Sequence, residues 1–419
     1  MVKVKILAGS RSIGGNFIRI EDRDRILIFD QGIRFDVMAN YYSGSVMPQG
    51  IAELRELGVV PKPEWYEGAN AIYISHMHLD HLGVLSNIPL EAKVFLPNLA
   101  TYEIMEERWR LSPTWTAMVP RKYYVGLEEF KPLETDEHNV MAIPVSHSAH
   151  DAFALLYFGS DETILYTGDF RTEGFLNQEE FVELRGGEDL LSYLRGNPDL
   201  KVDIFITEGT NVGSSRVPLT PRDGMAIIKR IASHDRPVMA TIHSLDMGYA
   251  YALMKLASEL GIRYYVASTQ VARLMEGIPK LPLNPILLEE YVDFPSLAEK
   301  VPLEDLERDS MILVSYNEVV ELLKSLASIH RLPKDAVAIM SEPEPEIEEA
   351  SEYGVVANWF SKIGVQHYRV RVSGHYYPFE IRELQKVFKP KRIVPIHTVN
   401  PEMTKNLWMS ITERTYPSK

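Results

Sequence analysis

"AIYISHMHLDHLGVL", residues 71–85, is the stretch on which the fold turns. An apolar run ends in three histidines and an aspartate within six positions, in a chain that has only twelve histidines in 419 residues. Alternate residues of an extended segment point the same way, so His76 and His78 can share one ligand sphere. Asp80 and His81 follow where the chain turns, and can face a second ion nearby. Neutral imidazole and carboxylate suit zinc, with manganese or iron as alternatives. A lone histidine pair at a strand end is ordinarily a polar turn. Four donors in H-x-H-x-D-H order argue for metal.

Composition narrows the donors. There is no cysteine, which excludes disulfides, thiolate ligands and a cysteine nucleophile. Any metal must sit on His, Asp and Glu. The net charge is −14, whereas phosphate binding usually leaves a basic footprint. No apolar run approaches the ~18 residues that span a bilayer, and "MVKVKILAGS" at residues 1–10 lacks the apolar segment of a signal peptide. The expectation is a cytoplasmic protein with no membrane partner.

Outward from the histidines, the first part reads as strands: "VKVKILAG", "GNFIRIE", and "DRILIFDQG", which ends at Asp30 and Gly32. "HLGVLSNIP" reads as the first turns of a helix. Residues 95–135, with Trp109, Trp115, Tyr123 and Tyr124, suggest helices. "NVMAIPVSHSAHDAFALLYFG" is two strands around a histidine-bearing loop, and "ETILYTGDF" is a strand with an acidic tip. After about residue 205 the period changes. "RDGMAIIKRIASH", "DMGYAYALMKLASELG", "NEVVELLKSLASIH" and "EIEEASEYGVVANWFSKIG" are amphipathic at helical spacing, separated by short apolar strands such as "PVMATI" and "SMILVS". Such alternation predicts a parallel, doubly wound sheet. "SEPEPEIEE" (341–349) reads as a solvated acidic loop and helix start.

Further candidate ligands stand at other strand tips: His147 and His150 in "VSHSAHD", Asp169 in "YTGDF" and His397 in "VPIHT". Singly, each reads as a turn or surface residue. Jointly, each ends an apolar strand, which lines them along one sheet edge.

"HMHLDH" with "FDQG", "SHSAHD" and "TGDF" resembles the metallo-β-lactamase-fold hydrolases. Three more pieces, "ITEGT" with Glu208, "RVSGHYYPFE" with Ser373 and His375, and "IVPIHTVNPE" with His397, resemble the extra motifs of the β-CASP nucleases. That family includes RNase J and cleavage-and-polyadenylation-factor-like ribonucleases. The resemblance implies an α/β protein, a metallo-β-lactamase αββα sandwich with an inserted Rossmann-like α/β (β-CASP) domain. The expected divisions are 1–208 and 372–419 for the sandwich and 209–371 for the insert. The chain is expected to lack the extra C-terminal domain of RNase J and any N-terminal RNA-binding module.

Carried over by position, the resemblance implies two Zn2+ ions, with Mn2+ as an alternative. His76, His78 and His147 would hold one, Asp80, His81 and His397 the other, with Asp169 bridging. Asp30 would stand behind the ligand loop, and Glu208 would accept the free ring N–H of a ligand histidine. Ser373 and His375 would contact the scissile phosphate, with His375 serving the leaving oxygen; Asp80, Asp169 and His375 are the catalytic candidates. The implied reaction is hydrolysis of RNA phosphodiester bonds by zinc-activated hydroxide, exo or endo, leaving a 5′-phosphate and a 3′-hydroxyl. The implied partner is RNA, single-stranded in preference, with homo-oligomerisation left open. His397 favours RNA over DNA, because DNA-repair members of the family usually carry valine there. The other reading is a small-molecule metallo-hydrolase of the same fold, acting on a thioester, lactone or phosphodiester.

The sequence departs from the family pattern in two places. His150 adds a second histidine that competes with His147 as ligand. Tyr376 and Tyr377 stand where many relatives have small residues, which would narrow the substrate path or offer a stacking ring. Local basic residues, Arg369 and Arg371 before Ser373 and Lys386, Lys389, Lys391 and Arg392 before His397, partly answer the charge objection.

Overall fold

A computed structural model describes residues 1–42, 46–111, 126–215, 217–234, 236–277, 284–296, 298–329, 335–341 and 349–414. Trp115, Tyr123 and Tyr124, and nearly all of the acidic segment after Ser341, lie outside the described residues. The chain divides into two compact units: Met1–Thr172 with Phe181–Arg216 and Gly374–Lys419, and Glu173–Glu180 with Val217–Ser373.

The first unit holds two sheets. One runs β1 (Lys3–Ala8), β2 (Phe17–Asp22), β3 (Arg25–Phe29), β4 (Ala71–Tyr73), β5 (Lys93–Leu96) and β6 (Leu127–Glu129), in that spatial order. The first three strands pair antiparallel and the rest parallel. The other comprises β7 (Val140–Pro144), β8 (Phe153–Phe158), β9 (Thr163–Tyr166) and β10 (Ile204–Thr207), with the last strand of the chain beside β10.

Period-two alternation explains how these sheets pack. Ile18, Ile20, Leu27, Phe29 and Tyr73 of the first sheet share one core with Leu155, Tyr157, Ile164, Tyr166, Ile204 and Ile206 of the second. The intervening residues Ala154, Leu156, Leu165 and Phe205 join a different core. They meet Leu190 and Leu194 of the helix Leu190–Gly196, Ile381 and Leu384 of the helix Ile381–Val387, and Trp408. On the first sheet Ile28, Ile72 and Val94 are fully buried too, as are Leu54 and Tyr102 on the helices Ile51–Glu56 and Leu99–Leu111. Strands buried on both faces read as unbroken apolar runs, and the architecture is the αββα sandwich.

In the second unit, all seven strands are parallel, in the order β14-β13-β12-β15-β11-β16-β17: β11 (Val238–Ile242), β12 (Arg263–Val266), β13 (Ile286–Leu288), β14 (Lys300–Val301), β15 (Ser310–Ser315), β16 (Val337–Met340) and β17 (Gln366–Arg369). The four predicted helices form over Pro221–Ala232, Met247–Leu260, Val319–Ser328 and Glu349–Ile363. Thr220 and Asp223 make a reciprocal capping box at the first, satisfying two donors that a helix start leaves open. β18 (Arg392–Pro395) then returns to the first unit and pairs parallel with β10.

Helix formation after His78 differs from expectation. The helix is one turn, Leu79–Leu82, and stops at Gly83, whose φ is 62°. A Cβ there would lie 1.9 Å from the carbonyl oxygen of Gln31, so close approach of the two loops ends the helix.

Candidate metal centre

The site lies where five strands end. β4 leads through Ser75 to His76, β7 to His147, β9 to Asp169, β10 to Glu208 and β18 to His397. His76, His81, Asp169, Glu208 and His397 are at most 2% exposed. Ligand atoms of His76, His78 and His147 lie within 4.8 Å of one another, as do those of Asp80, His81 and His397. Asp169 joins His76 and His81 in a third such group, and Glu208, His375 and His397 in a fourth.

Each ring is oriented from behind. Nδ1–H of His81 donates to Asp30 Oδ2 at 2.7 Å, and Nδ1–H of His147 donates to the Gly374 carbonyl at 2.7 Å. Thr210 Oγ1 donates to Glu208 Oε2 at 2.7 Å, because a carboxylate only accepts. The same hydroxyl therefore accepts from Nδ1–H of His397, at 2.8 Å. In all three rings Nε2 is left to face the cluster, the arrangement a ligating histidine needs. His78 turns Nδ1 inward instead, 3.2 Å from Nε2 of His147.

Asp30 is fully buried at φ 56°. Besides His81 it accepts from Ser75 N–H at 2.7 Å, Ser75 Oγ at 2.8 Å and Tyr166 Oη at 2.5 Å. His397 also has positive φ, 52°, and its N–H donates to the Gly9 carbonyl. Glycines admit the close packing: a Cβ on Gly14 would lie 2.5 Å from Asp80 Oδ2, and one on Gly374 2.9 Å from the His147 ring.

These donors fit divalent cations. Buried His76 Nε2, His81 Nε2 and Asp169 Oδ1 have no hydrogen-bond partner among the described residues, a costly state unless something else binds them. Nε2 of His81 lies 3.1 Å from Asp169 Oδ2, and Nε2 of His397 lies 3.1 Å from Asp80 Oδ2. Burial would push the carboxyl of Asp80 up, but His81 and His397 hold it down at about 2. Asp169 lies well below the usual range for the same reason, with His397 first among its neighbours. Burial opposes charge on His81 and His397, yet both are raised, chiefly by Asp169. Burial instead depresses His76 and His147 well below the ordinary value, and His78 to about 4. The carboxylates beside His81 and His397 thus favour positive charge in one half of the cluster, and burial favours neutral rings in the other. A cation bound there would take the place of protons.

His375 sits beside this cluster. Its Nδ1 is 2.8 Å from Glu208 Oε2 and 3.8 Å from Asp169 Oδ2, and its ring centroid is 5.1 Å from that of His147. Ser373 is buried and falls in the second unit, one residue before the chain re-enters the first.

No family model matches the chain. Ribonuclease J of Mycobacterium tuberculosis is 23% identical, over 94% of this chain and 68% of its own length. Ribonuclease J of Pyrococcus abyssi is 22% identical over 95% of this chain and 90% of its own, and that of Methanocaldococcus jannaschii is 21% identical over 94% and 91%. Over nearly its whole length the chain is similar to these ribonucleases J. A crystal structure from Enterococcus faecalis, of a protein of unknown function, has the same fold as this chain: TM-score 0.71, 19% identity, covering 96% of this chain and 95% of that one.

Several residues of the chain stand otherwise than the sequence suggests. Glu208 meets His375 directly and reaches the expected ligand His397 only through Thr210. His150 is in none of the donor groups; its Nε2 is 3.4 Å from Asp151 Oδ1. Tyr376 is 2% exposed and its hydroxyl donates to the Glu208 carbonyl at 2.6 Å, so it is a brace and no stacking surface. Lys386 pairs with Glu383 at 2.7 Å and Lys391 with Asp203 at 2.5 Å, and Lys389 and Lys391 precede β18, at the end opposite His397. Sequence reasoning missed Ser75, Tyr166 and Thr210. Only Thr210 carried a signal, its place two residues after Glu208.

Proposed function

We propose that this chain is a ribonuclease that hydrolyses RNA phosphodiester bonds with two divalent cations, zinc in the first instance and manganese as the alternative. His76, His78 and His147 would hold one cation and Asp80, His81 and His397 the other, with Asp169 beside both sets. The observation that carries this reading is the pair of donor triads, buried except for half-buried His78, that meet at Asp169. The relatives' name, ribonuclease J, over 94–95% of this chain, supplies the substrate class. The chemistry such ions would supply there is a water of pKa ~7 and polarised phosphoryl oxygens.

The chain's own residues do the rest. Asp30, Thr210 and the Gly374 carbonyl fix the tautomers of His81, His397 and His147. Ser373 and His375 hold the scissile phosphate. Glu208 keeps the His375 ring in place, and that ring protonates the leaving oxygen. Single-stranded RNA as partner and a cytoplasmic location go with this reading; no helix among the described residues is long and apolar enough to cross a membrane.

A second reading, a small-molecule metallo-hydrolase, is favoured by the net charge of −14. One experiment separates them: incubation with 5′-labelled and internally labelled RNA and DNA, with and without chelator. The expected result is cleavage of RNA that chelation abolishes. Intact RNA under all conditions, or cleavage indifferent to chelator, would overturn the ribonuclease reading. Mononucleotides from the labelled end would mean an exonuclease, discrete fragments an endonuclease.

A further inference from the structure

The sandwich unit carries a second feature far from the histidines. A hollow of about 370 Å³ lies between the segment after the helix Leu190–Gly196 and the end of the helix Ile381–Val387. Lys201, Lys386, Lys389 and Lys391 line it, with Asn197 and Gln385, and no carboxylate is among its described lining residues. All four lysines are exposed. Lys386 and Lys391 have carboxylate partners, Glu383 and Asp203; Asp203 also feels Lys201, and Glu162 acts on Lys391. Further cations stand close by. The Glu383 carboxyl is held below its usual range by its bond to Lys386, and Arg382 and Arg195 add to the effect. Four lysines around one hollow are unexpected on a chain of charge −14, where random placement favours acidic neighbours.

Topology fixes its place. β10 and β18 run parallel, in register from Ile204↔Arg392 to Thr207↔Pro395. Val202 and Lys391 of the hollow stand just before these strands, and Glu208 and His397 of the metal centre just after them. At ~3.3 Å per strand residue the two lie roughly 15–20 Å apart, at opposite ends of one sheet. The hollow is therefore no part of the metal centre.

We infer that this lysine-lined hollow binds phosphoryl groups, and that its occupant is the sugar–phosphate backbone of RNA at a distance from the cleaved bond. Lysine suits the task as a mobile point charge that needs no fixed fork geometry, and Asn197 and Gln385 add neutral donors. A phosphate held here raises affinity without reading sequence. The identity of the occupant rests on the ribonuclease reading; the affinity for phosphoryl groups does not.

The test compares wild-type protein with Lys201→Glu/Lys389→Glu, and with Lys201→Gln/Lys389→Gln to separate charge loss from charge reversal. Binding of a fluorescent 20-nucleotide RNA is followed by anisotropy against salt, in chelator so that no cleavage intervenes; pyrophosphate is titrated separately. Removing two lysine–phosphate pairs, at ~0.7 each for single strands, should make the log–log salt slope shallower by about 1.4 in the glutamine variant. RNA affinity should fall about tenfold or more, further for the glutamate variant, while cleavage of a trinucleotide with metal present stays at the wild-type rate. Unchanged RNA affinity and slope together with unchanged pyrophosphate binding would overturn the inference. Loss of pyrophosphate binding with RNA binding intact would overturn the RNA occupant and assign the hollow to a free phosphate compound. Failure of wild-type protein to cleave any RNA would count against the ribonuclease reading alone, since the binding comparison needs no cleavage.

Discussion

Glu208 and His397 do not touch; one hydroxyl, Thr210 Oγ1, spans them, 2.7 Å from the carboxylate and 2.8 Å from Nδ1. The carboxylate's other oxygen accepts from Phe170 N–H at 2.9 Å, and its Oε2 also meets His375. One buried acid therefore orients two rings of the site.

Thr210→Val keeps the shape and removes the link. The expected outcome is a 10–100-fold loss of affinity for one of two metal ions, the range typical for partners that orient ligating histidines. Competition with a zinc-sensitive chelator reads it directly. Retention of both ions at wild-type affinity would show that the hydroxyl does not set the His397 tautomer.

Gly374→Ala tests the other triad. The added Cβ would lie 2.9 Å from the His147 ring and 2.5 Å from Ser148 Oγ. The His147 ring has to shift, because its bond to the Gly374 carbonyl comes from the same residue. Metal analysis should find one ion per chain where wild type holds two, and a stoichiometry near two in the variant would sink the assignment.

His375→Ala should retain both ions and lose phosphodiester cleavage by ~10²–10⁴-fold, the usual contribution of a positioned general acid. Parallel metal analysis and single-turnover cleavage separate the two effects. Normal RNA cleavage by this variant would remove His375 from the leaving-group role.

His150 makes a pH prediction. Burial pushes its imidazole down to about 4, with Arg185 adding and Asp151 opposing. The folded chain keeps it neutral while the unfolded chain takes up a proton near pH 6.5. Its contribution to stability is therefore full above pH 6.5 and falls as pH drops toward 4, by ~1.4 kcal/mol per pH unit for this one proton. Denaturant unfolding of wild type and His150→Asn across pH 4–7 should show the variant with the shallower slope. Parallel curves would mean the ring is not held neutral.

Legibility in the sequence followed the reach of each signal. Apolar runs with sharp ends, such as those of β9 and β11, were readable because strands buried on both faces need them. β17 was not: "QHYR" is polar and largely exposed, as suits a sheet edge. The H-x-H-x-D-H cluster was readable because its donors are local. That Glu208 acts on His397 through a hydroxyl was not, since Thr210 and His397, 187 positions apart, meet only after the chain has folded. The tyrosines after His375 illustrate the same limit. The family pattern placed both on the substrate side, and only packing turns Tyr376 inward, its ring against Phe170 and its hydroxyl near Trp408.

The pairing of β18 with β10 has a consequence for biosynthesis. One of the two triads stays a donor short until the segment around residue 397 has docked beside a strand completed some 185 residues earlier. A nascent chain still tethered to the ribosome at that point, or one clipped before Arg392, would present a formed sheet with an incomplete socket. On the two-cation reading, full loading would report that translation has passed β18 and that the strand has found its neighbour.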